Sequence, residues 1–398
     1  MKQNLLPETL YISIDGIMEP LGYSQVFKYL EILSKDHRIN LITFEKKQHI
    51  NNDDALLSMI KKCDECNIAW HGLKYRSGLF GLGQLINIVS LIIWPIFISL
   101  KKSISIVHIR SYMPGIAIPF LSLLIKFKFI FDIRGFWADE KHDRLGWSKL
   151  SYRYKFFKIL ENYLIKKADY IVTLTKQSKD IIIDNFTKDQ SRITVIPTCV
   201  DFQEIYVQPA LEKPKNFIIG YLGSVDTAYD FSKFCFFISQ IKSFKHEVEL
   251  RIFTSQKIEE VEKMLAQNTL VDLKKEIKFL KRTELANELS QLDCLGFCLK
   301  ENFSIKASMP TKIAEALSCG IPIICNAFNL DIEDLINKND IGIIYNFTDK
   351  LGHEEISQIL KFKSNEQMKI RCIKVAKTYF SINRGAIEYN RIYNSPHH

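Results

Sequence analysis

The feature that most constrains this chain is an alternation, met twice, of short apolar runs with longer stretches of helical period. Residues 10–14, 39–44, 105–109, 127–133, 170–174 and 193–196 are each rich in β-branched, aromatic and leucine side chains and long enough for one strand. They are short, largely apolar runs without strict polar alternation, so both faces of each strand must be covered, as in a parallel sheet with helices on either side. Helical patterns near 24–34 and 116–124 supply part of the cover. Residues 197–216 carry Pro197, Pro209 and Pro214 and little helical periodicity, which marks a boundary. The alternation then resumes with strands at 217–222, 249–253, 277–280, 294–299, 322–325 and 342–345. The pattern predicts an α/β chain of two doubly wound domains, 1–205 and 214–378, with a cleft between them. A last helix within 381–395, presenting Tyr389 and Tyr393 on one face, is expected to cross back and brace the first domain. Ligands of such sheets lie beyond the carboxyl ends of the strands.

Composition narrows the partners. Of 398 residues, 54 are basic and 45 acidic, a net charge of +9 that favours phosphates, nucleotides or an acidic membrane face. Hydrophobic residues at 47% exclude a disordered chain, and no nucleic-acid partner is expected. Nine cysteines, an odd number without a regular framework, fit a reducing cytoplasm, and residues 1–9 are too polar for a cleavable signal. Cys63-x-x-Cys66 has no second pair at zinc spacing, and no Asp-x-Asp motif for a metal-bound nucleotide is present, so no metal is expected. The longest apolar stretch, 85–100, contains Pro95 and runs into Lys101 and Lys102; it falls short of the roughly 20 residues of a spanning helix and is expected to be buried or interfacial.

The most informative run is 304–325, S-I-K-A-S-M-P-T-K-I-A-E-A-L-S-C-G-I-P-I-I-C. A strand ends near Leu299, a loop follows, and a helix is expected to open with Pro310 in its first turn and stop at Gly320. The N–H groups of Thr311 and Lys312 then form an anion site that Lys306 and Lys312 reinforce, suited to a diphosphate. Glu315, one turn on, is placed to accept ribose hydroxyls. An ordinary helix start with a solvated glutamate has the same spacing.

The run resembles the donor motif of the retaining glycosyltransferases of family 4, in the branch with P-T-K before the helical glutamate. Three further segments agree: D-G-I-M-E-P-L-G at 15–22 followed by Tyr23, F-D-I-R-G-F-W-A-D-E at 131–140, and I-G-Y-L-G-S-V-D-T-A-Y at 219–229. I-P-T-C-V-D at 196–201 is similar to the usual end of the first domain. The resemblance implies the GT-B fold, two Rossmann-like domains facing a central cleft, and transfer of a sugar from a UDP- or GDP-type nucleotide to an acceptor without cofactor or metal. It implies a donor site of Gly223, Ser224, Tyr229, Lys300, Ser308, Pro310, Thr311, Lys312 and Glu315, with Lys306 assisting departure of the diphosphate. Gly22, Tyr23, Arg134, Trp137 and Glu140 are the implied acceptor contacts. Asp139 is the candidate to take the proton of the attacking hydroxyl.

The departures are as telling. The family's first glutamate falls here on Ala307, and the arginine and lysine that elsewhere contact the diphosphate fall on Ser224 and near Tyr229, so charge on the leaving group must be met by Lys300, Lys306 or Lys312. Residues 149–167 mix six cations with aromatic side chains, a basic amphipathic pattern suited to an anionic surface. A polyprenyl-diphosphate-linked or other glycan acceptor at the cytoplasmic membrane face, in surface polysaccharide assembly, is the expected setting. A sugar-nucleotide epimerase of the same architecture and an inactive membrane-associated partner protein are the alternatives.

Overall fold

The computed structural model describes residues 6–77, 81–186, 189–208, 215–225, 228–244 and 247–397. Of the sequence features above, Pro209, Pro214, Asp226, Thr227 and residues 1–5 lie outside the described residues. The chain forms two compact units, one of residues 1–197 with 382–398, the other of residues 198–381.

The first unit is built on a seven-stranded sheet ordered β3-β2-β1-β4-β5-β6-β7. The strands are β1 (Glu8–Ser13), β2 (Arg38–Glu45), β3 (Ile68–Lys74), β4 (Ile104–Arg110), β5 (Lys128–Asp132), β6 (Tyr170–Thr173) and β7 (Ile193–Val195). Every pairing is parallel; Ile12 lies opposite Ile42 on one side and Ile109 on the other. Leu10, Ile12, Val107, Ile130 and Phe131 have no exposed surface, as central strands covered on both faces require. β3 has no counterpart in the sequence reading. It is an edge strand whose I-A-W-H-G-L-K run leaves alternate residues half open, so it lacks the apolar continuity of its neighbours.

The Leu82–Lys101 helix connects β3 at the edge to β4 in the middle. At 20 residues it exceeds the apolar run in the sequence and is long and apolar enough to cross a membrane by length and composition. Both ends nevertheless feed strands of one sheet, so it is a crossover of the domain. Leu91, Pro95 and Ile98 are buried, while the opposite side is exposed.

The Ile382–Asn394 helix completes the first unit. The Tyr389 hydroxyl donates to Asp132 Oδ2 at 2.9 Å, Tyr393 bonds His108 Nδ1 at 2.8 Å, and Lys128 Nζ donates to the Tyr393 carbonyl at 2.6 Å.

The second unit carries a six-stranded parallel sheet ordered β10-β9-β8-β11-β12-β13. Its strands are β8 (Phe217–Leu222), β9 (Val248–Phe253), β10 (Lys274–Lys278), β11 (Cys294–Phe297), β12 (Ile323–Cys325) and β13 (Gly342–Ile344). β10 lies three residues before the run read from the sequence, because an edge strand tolerates the K-K-E-I-K composition that a buried one would not. Residues 198–205, placed above in the first domain, pack in this unit. The Thr198 hydroxyl donates to the Met309 carbonyl at 2.9 Å, Val200 pairs with Ser381, and Glu204 meets Arg282 at 3.1 Å.

Strand order reverses between β1 and β4 in the first unit and between β8 and β11 in the second. The loops leaving those strands are where a doubly wound sheet opens to ligands.

Candidate functional site

In the second unit, the loops that follow β8 and β11 are joined to each other. Tyr229 pairs with Leu299, the Lys300 N–H donates to the Ala228 carbonyl at 2.9 Å, and the Asp230 N–H donates to the Cys298 carbonyl at 2.8 Å. Asn326 fixes the end of β11 by bonding both the N–H and the carbonyl of Leu299 at 2.9 Å. The chain then makes a 3-10 turn, Ser304–Ala307, and enters the Thr311–Ser318 helix. Pro310 is the N-cap of that helix, one position earlier than the first-turn place expected, and offers it no side-chain hydrogen bond. The first N–H groups, those of Thr311 and Lys312, have no intrahelical partner. The helix closes at Cys319, and Gly320 takes the left-handed conformation at φ +75°.

Lys312 is the unusual residue. It is 5% exposed, and among the described residues its Nζ has no hydrogen-bond partner. Three rings surround the ammonium, Tyr229 at 3.7 Å, Phe297 at 5.0 Å and Tyr221 at 5.2 Å from their centroids. Burial holds its pKa down to about 7, with Glu315 pulling the other way. Cation–π contacts offset part of the desolvation, yet a buried ammonium without acceptors remains costly. Gly223 makes this arrangement possible: its φ is +125°, and a Cβ there would sit 2.8 Å from Lys312 Nζ. Behind Gly223, the Tyr221 hydroxyl donates to the Ser224 carbonyl at 2.6 Å, which fixes the turn.

Glu315 lies on the same helix with 12% of its side chain exposed, and Arg282 Nη1 stands 3.6 Å from its Oε1. Burial raises the Glu315 pKa, while Arg282 and Lys312 act to lower it. Arg282 also holds Glu204, so it ties the entry segment to the Glu315 helix. It escaped sequence reading because it lies 33 residues before Glu315, outside the motif, and carries no spacing signal. Ala307, which stands in place of the family's first glutamate, is buried in the 3-10 turn. The Ser308 carbonyl accepts from Asn329 at 2.7 Å. Lys300 and Lys306 are both exposed, with Lys306 Nζ 5.9 Å from the Phe303 ring. The structure thus separates the three candidate lysines, since Lys312 alone is enclosed at the helix start.

The strand ends of the first unit look different. Asp132 is fully buried at the end of β5 and meets Arg110 at 3.3 Å, Arg134 at 3.4 Å and the Tyr389 hydroxyl. Burial works to raise its pKa, but Arg134 and Arg110 overcome this and hold it below the ordinary range. Arg110 reaches Asp15 at 3.3 Å as well, and burial keeps the neighbouring His108 neutral, its pKa held down to about 3. In the first-strand loop, a Cβ on Gly22 would lie 1.9 Å from the Gly16 carbonyl, so Gly22 permits close packing of the loop on itself. Tyr23 beside it stacks on Phe27 at 5.4 Å with Lys62 Nζ 4.9 Å from its ring. Sequence reading missed Glu45, whose buried carboxylate accepts the N–H groups of Ile17 at 2.8 Å and Met18 at 3.2 Å and so shapes this loop.

Asp139 occupies a closed position. It is 5% exposed; Oδ1 accepts from Tyr154 at 2.5 Å and Oδ2 from Lys158 at 3.0 Å, which staples the Trp137–Leu145 helix to the Tyr152–Lys167 helix. Lys158 also pairs with Glu161, itself hydrogen-bonded by Tyr112 at 2.9 Å. A carboxylate whose two oxygens are already engaged is poorly placed to take a proton, in contrast to the role expected above. Trp137 packs against Phe157 at 4.2 Å and Trp147 at 5.7 Å, and Glu140 pairs with Arg144 one turn along. Among the described residues, no group of three or more His, Cys, Asp or Glu side chains comes together as a metal would need.

Comparison with known proteins agrees with this architecture. The profile described as Glycosyltransferase Family 4 matches residues 34–204, and that described as Glycosyl transferases group 1 matches residues 216–360. No curated protein sequence matches the chain. Among solved structures, sucrose-phosphate synthase from Thermosynechococcus elongatus is similar with a TM-score of 0.70 at 12% identity, covering 97% of this chain and 98% of that one. A glycosyltransferase from Rickettsia africae gives 0.69 at 15% identity, over 98% and 100% of the two chains. Anabaena HepE, solved with UDP and glucose, gives 0.70 at 10% identity over 98% and 100%. The chain is a glycosyltransferase that belongs to family 4 and has the two-domain GT-B fold of that family.

Proposed function

We propose that this enzyme transfers a hexosyl or N-acetylhexosaminyl group, with retention, from a UDP- or GDP-sugar bound by the second unit to a glycan or polyprenyl-diphosphate-linked acceptor in surface polysaccharide assembly. The observation that carries the reading is the Lys312 ammonium, enclosed at the start of the Thr311–Ser318 helix without a hydrogen-bond acceptor. A diphosphate beside it supplies the missing acceptors, and the Thr311 N–H and helix dipole add to the same field. As the bond between anomeric carbon and phosphate oxygen lengthens, negative charge grows on the diphosphate. Fixed donors and a cation aimed there stabilise the transition state more than the ground state. In this chain Lys312 and the helix start do the work for which relatives use an arginine and a lysine in the Gly223 loop. In this scheme Glu315, which Arg282 approaches at 3.6 Å, accepts ribose hydroxyls, and exposed Lys306 follows the departing phosphate. The departing oxygen assists the incoming hydroxyl on the same face, so the scheme does not require Asp139 as a base.

Calorimetric titration with UDP and GDP tests the reading. Wild type should bind one of them, and Lys312→Met should weaken that binding about thirtyfold or more, the value of a charge-assisted contact to phosphate. Unchanged affinity in a folded Lys312→Met protein would remove the proposed site.

A further inference from the structure

Exposed apolar surface in the first unit is concentrated on one pair of helices. The Leu82–Lys101 helix leaves Leu85 at 55%, Ile93 at 56%, Phe97 at 44% and Leu100 at 71% exposed; the Ile118–Leu124 helix packed beside it adds Leu123 at 84% and Leu124 at 51%. A contiguous apolar face of this kind is uncommon on a soluble monomer and marks a contact surface.

The charge around it says what kind. Between Glu65 and Asp132 the chain contains no aspartate or glutamate, and its exposed charges there are Lys74, Arg76, Lys101, Lys102 and Lys126. Lys101 Nζ lies 4.0 Å from the Phe97 ring, a cation beside the apolar face and not apart from it. The Tyr152–Lys167 helix, which packs on the same Met113–Ala117 turn as the Leu82–Lys101 helix, contributes Arg153 and Lys155 next to exposed Phe156. A second copy of this face would bring cations against cations with no carboxylate to receive them, which disfavours self-association. Apolar side chains flanked by lysines with no acid among them complement a layer of anionic headgroups over acyl chains.

We propose that the Leu82–Lys101 and Ile118–Leu124 helices form a face that lies flat in the interfacial layer of an anionic bilayer. The helix does not cross, because it is a crossover of one sheet. The inference goes beyond the donor site and stands or falls separately from it.

Flotation of the full chain with vesicles of phosphatidylcholine, alone or mixed with phosphatidylglycerol, is the test. Wild type should float with the mixed vesicles, at least tenfold more than with phosphatidylcholine alone, and raised salt should weaken the association. Ile93→Gln/Phe97→Gln/Leu123→Gln should reduce flotation about tenfold or more while its melting temperature stays close to wild type, since all three side chains are exposed. Lys101→Glu/Lys102→Glu/Lys126→Glu, which alters only surface lysines, should abolish the preference for anionic vesicles. The proposal is overturned if wild type floats with neither vesicle or equally with both, if either folded variant floats as wild type does, or if sedimentation shows wild type self-associating through this face and the apolar variant monomeric.

Discussion

The two units share one topology but differ in how their switch points balance charge. Where β1, β4 and β5 end, every buried charge has its answer: Arg110 and Arg134 close on Asp132, Arg110 also on Asp15, and Tyr389 fills what remains. Where β8 and β11 end, a buried ammonium is enclosed by rings and left without an acceptor. Topology supplies a place for a ligand in both units; charge balance decides which place is already satisfied from within. The first is balanced from within, and the second leaves a buried cation unanswered, the feature on which the proposed anion site rests.

The largest effect is expected from breaking the balanced side. Asp132→Asn removes the buried carboxylate that Arg110 and Arg134 share, leaving Arg110 with Asp15 alone, and should cost about 3–5 kcal/mol, a fall in melting temperature on the order of 10 °C. A fall of a degree or two would mean that the cluster is far more hydrated than its burial implies. Lys312→Met acts in the opposite sense. It removes an unbalanced buried charge and should stabilise the folded enzyme by about 1–3 kcal/mol even as it weakens nucleotide binding. Loss of both stability and binding would show that Lys312 is a structural residue. Gly223→Ala forces a side chain into a positive φ and against Lys312 Nζ; a loss of about 1–3 kcal/mol in thermal melts, together with weaker nucleotide binding, is expected. A neutral result there would mean that the loop relaxes away from the lysine.

The smallest effect is a pH slope, and its sign discriminates well. With its folded pKa near 7 and its ordinary value 10.5, Lys312 binds fewer protons in the folded chain than in the unfolded one between about pH 7 and pH 10. Its burial therefore costs most below pH 7, and the cost fades as pH rises through that window. Nucleotide binding runs the other way: a diphosphate prefers the protonated lysine, so affinity should fall above pH 7 by up to about tenfold per unit. Glu315, Tyr221 and Tyr229 are the other titratable groups facing this ammonium. Lys312→Met should flatten both slopes, and a slope that survives in that variant would belong to one of those neighbours.

Much of this was legible in the sequence. Buried strands announce themselves by largely apolar runs, and P-T-K with Gly320 bounded the Thr311–Ser318 helix to within a residue. Edge strand β3 hid, and β10 was read three residues late, because partly open edge strands lack the apolar continuity that reveals and bounds a strand. The sequence offered Lys300, Lys306 and Lys312 and singled out Lys306 to assist departure of the diphosphate; only folding encloses one of them, Lys312, among Tyr221, Tyr229 and Phe297. Arg282 and Glu45 act across long sequence separations, where no periodicity reports them. Asp139 shows the converse limit: a motif singles out a carboxylate, but whether its oxygens are open depends on Tyr154 and Lys158, supplied by another helix.

The most direct test of the central claim is diffraction from crystals of the chain grown with UDP and, separately, with GDP. The account expects a diphosphate oxygen within about 3 Å of both Lys312 Nζ and the Thr311 N–H nitrogen. A diphosphate bound elsewhere in the chain, or no nucleotide density with either compound, would contradict it.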